Sequence, residues 1–505
     1  MSLLSKSKLL AYRQCPKRLW LEVHHPELAV ESESGESRVD VGRQIGQIAR
    51  ALYDPERRGE LIDAQRLGFA GALSRSAELL ESGAPIFEAA FATENALCYA
   101  DILLPVSGRA AWRMVEVKSS ASVKDYYKDD AAIQASVALG AGVPLEQVCI
   151  AHIDTSWTYP GNGDYRGLLV EADVTGDAHA LAADVEQWIA GATATVLLTS
   201  EPDRAVGPHC SDPFECPFQT HCTEGVEPAT YPVSWLPNVR KKALKSLIEE
   251  GGVADLRDVP DELLNDQQLR VKTHTLAGTA YFDAAGAAAD LAAHPLPAYF
   301  LDFETINLAI PIWPGTRPYQ QITFQYSLHR LAENGQLDHR SFLDLSGADP
   351  SRPFAERLII DCGRQGPIFV YNASFERTRL KELADRYGDM ADALQAIVDR
   401  IVDLLPVATS RYYHPSQQGS WSIKAVLPAI APDLRYDALD GVQNGGMAMD
   451  AFAEAIQPET TAERKREIER QLLSYCGLDT YAMVRLWHEF SGRRDIVLPD
   501  YAVGA

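Results

Sequence analysis

Three short stretches put acids where acids are costly. In "YFLDFET", Asp302 and Glu304 stand two residues apart in an otherwise apolar run, so in a strand both side chains leave one face of the sheet. Two adjacent carboxylates repel, and burying an unpaired charge is expensive. A pair of divalent ions is one way to hold them; a strand end open to water is another. In "REIERQLLSYCGLDTYAMVRLW", Ile468, Leu472, Cys476, Met483 and Leu486 recur at helical spacing, and Tyr475 and Asp479 fall one turn apart on that inward side. An inward aspartate needs a metal ion, a helix cap or an arginine. Between these stretches, "PIFVYNASFERTRL" runs from a β-branched and aromatic strand into a helix, with Asn372 and Glu376 at the junction; Asp403 in "RIVDLL" is a secondary strand acid.

A second set lies in "IFEAAFATENALCYADILLPVSGRAAWRMVEVKSS". Asp101 opens an apolar strand, and after a turn Glu116 and Lys118 alternate in "MVEVKS", projecting to one face. Two acids and a lysine at one sheet edge suit metal-assisted phosphodiester cleavage: the carboxylates hold the ion, and the ammonium steadies the attacking water or the phosphate. A surface Glu–Lys pair on an edge strand has the same local pattern.

The third set is sulfur. "HCSDPFECPFQTHC" places Cys210, Cys216 and Cys222 in one short segment beside His209 and His221. Eight cysteines in 505 residues are far too few for a disulfide-built scaffold, so a metal centre is the stronger reading, its fourth ligand either a flanking histidine or a residue from elsewhere in the chain. Cys98, Cys149, Cys362 and Cys476 lie in apolar settings and read as small core residues.

The chain must supply elements that position these groups. Its length calls for two or three domains at about 100 to 200 residues each. Residues 1–225 hold an opening helical stretch, a strand-like centre near 85–118 and the cysteines. Residues 226–290 read as a helical connector, with "FDAAGAAADLAAHPLP" as a small-residue linker. Residues 291–493 follow the order strands, then strands alternating with helices, with strands expected at 298–303, 321–330, 339–345, 367–371 and 400–405; residues 494–505 are a tail. "ESESGES" at 31–37 reads as a surface loop. The fold class is α/β.

The C-terminal motifs, in this order, resemble the DEDD superfamily of 3′→5′ exonucleases on the ribonuclease H-like fold. Asp302 and Glu304 match the first motif, Asp-x-Glu, and Tyr475 and Asp479 match the Tyr-x3-Asp form of the last. "NASFE" is similar to the middle motif Asn-x-x-Phe-Asp, with Glu376 where the family has Asp. The resemblance implies two Mg²⁺ or Mn²⁺ ions about 4 Å apart, held by Asp302, Glu304, Glu376 and Asp479. Tyr475, with an ordinary pKa of about 10, would orient the attacking water rather than act as a strong base.

The N-terminal set resembles the PD-(D/E)xK nucleases, which share the restriction-endonuclease-like fold, in their RecB-like branch. That branch includes the CRISPR-associated RecB-type exonucleases. Asp101, Glu116 and Lys118 match the family motif, with Asp101 and Glu116 as metal ligands; Glu88 matches an acid on the preceding strand and Gln134 the glutamine of the following helix. The early helix "DVGRQIGQIARALY" has no metal-binding His, which leaves Gln47 or water to complete the shell. Iron-sulfur members carry one cysteine in an N-terminal "CP" context and three after the nuclease core. The resemblance therefore implies a structural [4Fe-4S] cluster on Cys15, Cys210, Cys216 and Cys222, with Zn²⁺ as the alternative.

The expected function is metal-dependent hydrolysis of DNA, at single strands or duplex ends, in repair or in defence against foreign DNA. RNA trimming, or a nucleic-acid-binding scaffold with one or both sites degenerate, are the alternatives. A formal charge of -23 excludes a protein that coats nucleic acid by charge alone. Local grips remain available: Lys6, Lys8, Arg13, Lys17 and Arg18 form one basic cluster, and Arg240, Lys241, Lys242 and Lys245 another. Each could equally be a solvated helix face. There is no apolar run long enough to cross a bilayer and no leader pattern, so a cytoplasmic protein without membrane contact is expected.

Overall fold

The computed structural model describes residues 3–30, 34–225 and 227–500. It divides into two compact α/β units, one of residues 1–226 with 308–319, the other of residues 227–307 with 320–505.

The first unit runs β1 (Leu4–Ser5), α1 (Lys6–Gln14), α2 (Pro16–His24), α3 (Ser34–Tyr53), β2 (Glu60–Leu61), α4 (Ala64–Ser82), β3 (Ile86–Ala92), β4 (Ala96–Pro105), β5 (Trp112–Lys118), α5 (Asp125–Gly140), β6 (Leu145–Ile153), β7 (Leu169–Asp173), α6 (Thr175–Ala180), α7 (Ala182–Val196) and α8 (Gln219–Cys222). The sheet order is β2-β3-β4-β5-β6-β7. β4 and β5 pair antiparallel only from Ile102↔Val115 to Pro105↔Trp112 and then part; the short β1 takes the vacated edge of β4 at Ala96 and Leu97. Asp101 and Glu116 are the first residues inside that opening. Asp101 thus lies within β4 rather than opening it. α5 covers the sheet with a small-residue face of Ala131, Ala132, Ala135 and Ala138, all buried. The close approach that alanine permits brings Asp130 and Gln134 of the same helix against the opening, both buried.

The second unit runs α9 (Lys242–Glu249), α10 (Asp266–Ala277), β8 (Tyr281–Phe282), α11 (Ala284–Leu291), β9 (Ala298–Ile306), β10 (Ile322–Leu331), β11 (Leu337–Leu343), α12 (Ser351–Asp361), β12 (Ile368–Val370), α13 (Ser374–Arg386), α14 (Ala391–Val398), β13 (Ile401–Asp403), α15 (Leu405–Arg411), β14 (Tyr412–Tyr413), α16 (Ile423–Ile430), α17 (Gly445–Ala455) and α18 (Ala462–Ser491). Its main sheet has the order β11-β10-β9-β12-β13, antiparallel across β9, β10 and β11 and parallel across β9, β12 and β13. β9 is its central strand. α18 lies over β9 and β10 and is fastened to β10 by polar groups: Gln325 donates to the Leu472 carbonyl at 2.8 Å, and the Ser327 and His329 side chains both meet the Thr480 hydroxyl, at 2.6 and 2.8 Å. These bonds fix the register of the helix on the sheet, which apolar packing alone leaves loose.

Several expectations are revised. "FDAAGAAADLAAHPLP" is not an extended linker: Asp283 caps α11 by accepting from the Gly286 amide at 2.9 Å, and Ala287 and Leu291 are buried. Alanine is the best helix former, and a small-residue composition reads alike for linker and helix. The expected connector has a core of its own, of Val233, Leu236, Leu244, Leu256 and Val259. In the expected tail, Ile496 is buried and its carbonyl meets the His488 ring at 3.0 Å. Residues 31–33 of the acidic patch lie outside the described residues, and α3 begins at Ser34. Among the described residues no helix is long and apolar enough to cross a membrane.

Glu88 carries backbone strain. Its φ is +56°, and the β3/β4 ladder runs in one register on either side of it but omits the pair it would form with Asp101. The left-handed conformation costs an L-residue about 1–2 kcal/mol, of which glycine's greater chain entropy returns part. Glu88→Gly is therefore expected to raise stability by about 1 kcal/mol in urea unfolding, and Glu88→Ala, which keeps the strain, to gain less. Equal effects of the two changes would show that the backbone is not the source.

Candidate metal centres

In the second unit, the alternation of β9 turns Asp302 and Glu304 to the side covered by α18, where Tyr475, Cys476 and Asp479 are all buried. An oxygen of Asp302, an oxygen of Glu304 and the sulfur of Cys476 lie within 4.8 Å of one another. Cys476 is thus more than the core filler expected: its thiol donates to the Asp302 carbonyl, at 3.9 Å, on the floor of the acid cluster. Glu376 comes from the first turn of α13 and is 2% exposed, and among the described residues its Oε2 has no hydrogen-bond partner. Asp403 does not join the acids. It accepts from the amides of Asn372, Ala373 and Leu405 at 3.0, 3.0 and 2.9 Å, and so holds the turn that aims Glu376, with Asn372 itself at φ +75°.

The electrostatics follow from the crowding. Burial and then the neighbouring Asp479, Glu304 and Glu376 push the Asp302 carboxyl well above the ordinary range; burial and Asp479 do the same to Glu304. Burial raises Asp479 to about 6 and, with Asp403, Glu376 to about 8. Among the described residues no lysine or arginine is in ion-pair contact with any of the four. The nearest relief is Tyr436, whose hydroxyl donates to Asp479 at 2.5 Å, and Lys424, whose charge favours ionised Glu304 and Asp479. Lys424 donates to the Tyr475 hydroxyl at 3.1 Å and to the Gln443 carbonyl at 2.9 Å. Sequence reasoning missed Lys424 and Tyr436. Their neighbourhoods, "SWSIKAVLP" and "DLRYDAL", show no acid pattern, and only the fold brings them to α18.

In the first unit the opening between β4 and β5 gathers Glu88, Asp101, Glu116 and Lys118 with Asp130 and Gln134 of α5. Glu116 is 2% exposed. One of its oxygens accepts from Lys118 at 2.7 Å and from Lys6 at 2.9 Å, the other from Gln134 at 2.6 Å. Asp130 accepts from Lys118 and from Lys6, the latter at 3.1 Å, and from Gln134 at 3.2 Å. Asp101 stands where β5 has left β4 and takes the Val117 amide at 2.7 Å. Burial opposes ionisation of Glu116, but Lys118 and Lys6 outweigh it and hold the carboxyl far below its usual range. Among the described residues no ammonium is in contact with Asp101, and burial followed by Glu116 drives it well above. Burial and Glu116 also raise Glu88.

Two participants here were not expected as site groups. Asp130 lies one turn before Gln134 on α5, a spacing that could have signalled it. Lys6 sits at the first position of α1, directly after β1 delivers the chain to the opening; its basic-cluster neighbours Arg13, Lys17 and Arg18 pair with Asp129, Glu201 and Glu22 instead. Gln47 is exposed on α3 and holds none of these groups; Arg50, one turn on, is the α3 residue whose charge reaches Glu88. The Oε1 of Gln134 is buried with no hydrogen-bond partner among the described residues, so an acceptor is left unused among the acids.

The four thiols of Cys15, Cys210, Cys216 and Cys222 line a single cavity with Lys17, Arg18 and His209. Cys15 ends α1 and precedes α2, whose first residue is Pro16, which explains the "CP" pair: proline's fixed φ starts a helix, and the helix N-terminus favours a thiolate. Burial raises Cys216 and Cys222, and each lies within electrostatic reach of the other cavity thiols. Among the described residues the one triad of His, Cys, Asp or Glu ligand atoms within 4.8 Å of one another is that of Asp302, Glu304 and Cys476, so the thiols ring their cavity more widely. The His221 ring is engaged with Glu201 at 3.0 Å.

Comparison with known proteins gives one family match and a few partial relatives. Residues 299–422 match a family described as a domain of unknown function, DUF2779; the match takes in Asp302, Glu304 and Glu376 but ends before Lys424 and α18. The chain is 26% identical over 208 residues to the uncharacterized protein MG366 of Mycoplasma genitalium, covering 37% of this chain and 31% of that one. It is 30% identical over 154 residues to the uncharacterized protein UU173 of Ureaplasma parvum, covering 27% and 22% respectively. The chain thus spans less than a third of the length of these curated relatives. No solved structure matches.

Proposed function

We propose that the chain is a metal-dependent nuclease that hydrolyses phosphodiester bonds of DNA. In this reading the second unit is a ribonuclease H-like DEDD-type 3′→5′ exonuclease and the first a RecB-like PD-(D/E)xK nuclease carrying an iron-sulfur cluster, acting in DNA repair or in defence against foreign DNA. One observation carries it: four carboxylates of the second unit, three of them buried, converge with no lysine or arginine in contact among the described residues, and one of them, Glu376, keeps an oxygen without a hydrogen-bond partner there. Protons hold such a cluster only while the acids stay protonated, and as they ionise divalent ions are the counter-charge that fits oxygen donors.

Asp302, Glu304, Glu376 and Asp479 would hold Mg²⁺ or Mn²⁺, which supplies Lewis-acid stabilisation of the phosphoryl oxygens and a more acidic water. The chain supplies the rest. Tyr475 keeps its proton, because burial followed by Asp479, Glu304 and Asp302 pushes its hydroxyl far up. Lys424 donates to the Tyr475 oxygen and directs that proton away from itself, which makes Tyr475 a fixed donor for orienting water. In the first unit Glu116 and Asp101 would hold the ion, Gln134 and Lys6 fix the Glu116 rotamer, and Lys118 steadies the attacking water or a phosphate oxygen. Cys15, Cys210, Cys216 and Cys222, which line one cavity, would hold the [4Fe-4S] cluster, and it would supply a structural clamp rather than redox chemistry.

A second reading applies to the first unit alone, because Lys6 already supplies Glu116 with a cation. If that pairing is permanent, the unit grips a strand and cuts nothing.

Purified protein incubated with 5′-labelled single-stranded and duplex DNA and RNA is expected to give a ladder shortened from the 3′ end with Mn²⁺ and none with EDTA. Asp302→Ala should slow it by at least about a hundredfold. Any remainder lost in Lys118→Ala belongs to the first unit; no cleavage by any preparation, with binding retained, would leave a scaffold. The purified protein should be brown, with a broad visible band lost in Cys216→Ser; a colourless protein holding one zinc per chain would remove the cluster.

The acids also predict a pH dependence. Asp479 and Glu376 have folded-state values of about 6 and about 8 against unfolded values of about 3.9 and 4.3. Raised carboxyl values mean that the folded state keeps protons the unfolded state has released. Their contribution is therefore intact below about pH 4 and falls as pH rises toward 8. Mn²⁺ replaces those protons, so the rise in Tm on adding Mn²⁺ should be larger at pH 8 than at pH 5 and small in Asp302→Ala. A shift of one size at both pH values would count against these acids as the ligands.

A further inference from the structure

Beside the first unit's carboxylates a run of aromatic rings leads outward from Lys118. The Lys118 ammonium lies 5.2 Å from the centre of the Tyr127 ring; Tyr127 meets Tyr126 at 4.5 Å, and Tyr126 meets Phe214 at 4.9 Å, both edge-on. The exposed Lys124 caps the run, with its ammonium 5.7 Å and 6.0 Å from the rings of Tyr126 and Tyr127. Tyr319 anchors its hydroxyl on the Ser119 carbonyl at 2.9 Å, one residue from Lys118.

Phe214 is the unusual member. It is 42% exposed, in the loop between Cys210 and Cys216, and its backbone is held from α1: Gln14 donates to the carbonyls of Phe214 and His209 at 2.6 and 2.8 Å. A large apolar ring held half in water by a fixed loop, continuous with two tyrosines and two lysines, has the wrong composition for a protein core. Aromatic faces interleaved with ammonium groups match the two parts of an unpaired strand: bases that stack and phosphates that carry charge.

Building on the nuclease reading of this unit, we propose that Phe214, Tyr126 and Tyr127, with Lys124, form a binding track for single-stranded DNA that delivers the backbone to Lys118, and that the cysteine loop serves to present Phe214. A duplex has its bases stacked on one another and cannot use the rings, so the track selects unpaired DNA.

The test is fluorescence anisotropy of a 5′-fluorescein-labelled oligothymidine and of a blunt duplex of equal length, with full-length protein in EDTA, where no cleavage occurs. Phe214→Ala is expected to weaken single-strand binding by about five- to a hundredfold and duplex binding by less than twofold, with Phe214→Trp close to the unchanged protein. Tyr126→Ala, which lies on α5 outside the cysteine loop, should do likewise and guards against a loop that has merely misfolded. Unchanged single-strand affinity in both alanine variants, or equal losses on single strand and duplex, would overturn the track even if Mn²⁺-dependent cleavage is normal. Selective loss of single-strand binding in a protein that cleaves nothing would support the track and sink the nuclease reading instead.

Discussion

Carboxylates cannot be crowded into a protein interior without an answering positive charge, and both units are organised around that constraint. Two unit charges of like sign 4 Å apart repel by about 4 kcal/mol at an effective dielectric of 20, which is a large share of the stability of a whole domain. The first unit answers with ammonium groups: Lys6 and Lys118 bracket Glu116 and Asp130. The second answers with hydroxyls from Tyr436 and Tyr475 and with protons kept on the acids themselves. This difference in counter-charge explains why Glu116 is driven strongly down while Asp302 and Glu304 are driven up, although all three are acids on central strands.

The backbone creates the places where such clusters can exist. In the first unit β4 and β5 separate after four paired positions, and the freed edge is filled by β1 on one side and by the Asp101 carboxylate on the other. In the second, Asp403 spends its carboxylate on three amides so that the turn at Asn372 can leave the sheet sharply and start α13 with Glu376 inside. Glu88 and Asn372 are two of the seven non-glycine residues at positive φ among the described residues, and both lie beside the acids. At Glu88, which lacks asparagine's tolerance for that conformation, the site overrides the chain's local preference.

Much of this was legible in the sequence, for reasons that differ by residue. The period of two in "YFLDFET" fixes that Asp302 and Glu304 share a face, and the helical stripe around Tyr475 and Asp479 fixes their inward side; neither inference needs long-range information. The small-residue linker was misread because alanine-rich text is compatible with a buried helix as well as with a spacer. Lys6, Lys424, Tyr436 and the role of Cys476 were out of reach for a different reason. Each becomes a site residue only through contacts made across at least a dozen residues of chain, as Lys6 meets Glu116 over 110 positions and Lys424 meets Tyr475 over 51. A lysine in a basic run and a tyrosine in a loop carry no local mark of the acid they will face.

The same long-range logic ties the sulfur centre to the first acid site. Lys6 is the first residue of α1 and Cys15 the residue that ends it, so the two are separated by one rigid helix of nine residues, about 13 Å long. The far end of that helix is held twice to the cysteine loop, by Gln14 on the His209 and Phe214 carbonyls and by Cys15 on the wall of the thiol cavity. The near end is held by the two-residue β1 ladder and by the ion pairs of Lys6 with Glu116 and Asp130. A two-residue strand is a weak anchor, and ion pairs depend on where their partners stand. The position of Lys6 therefore depends on that of Cys15, so the thiol cavity and the charge balance of the acids one helix away are mechanically linked.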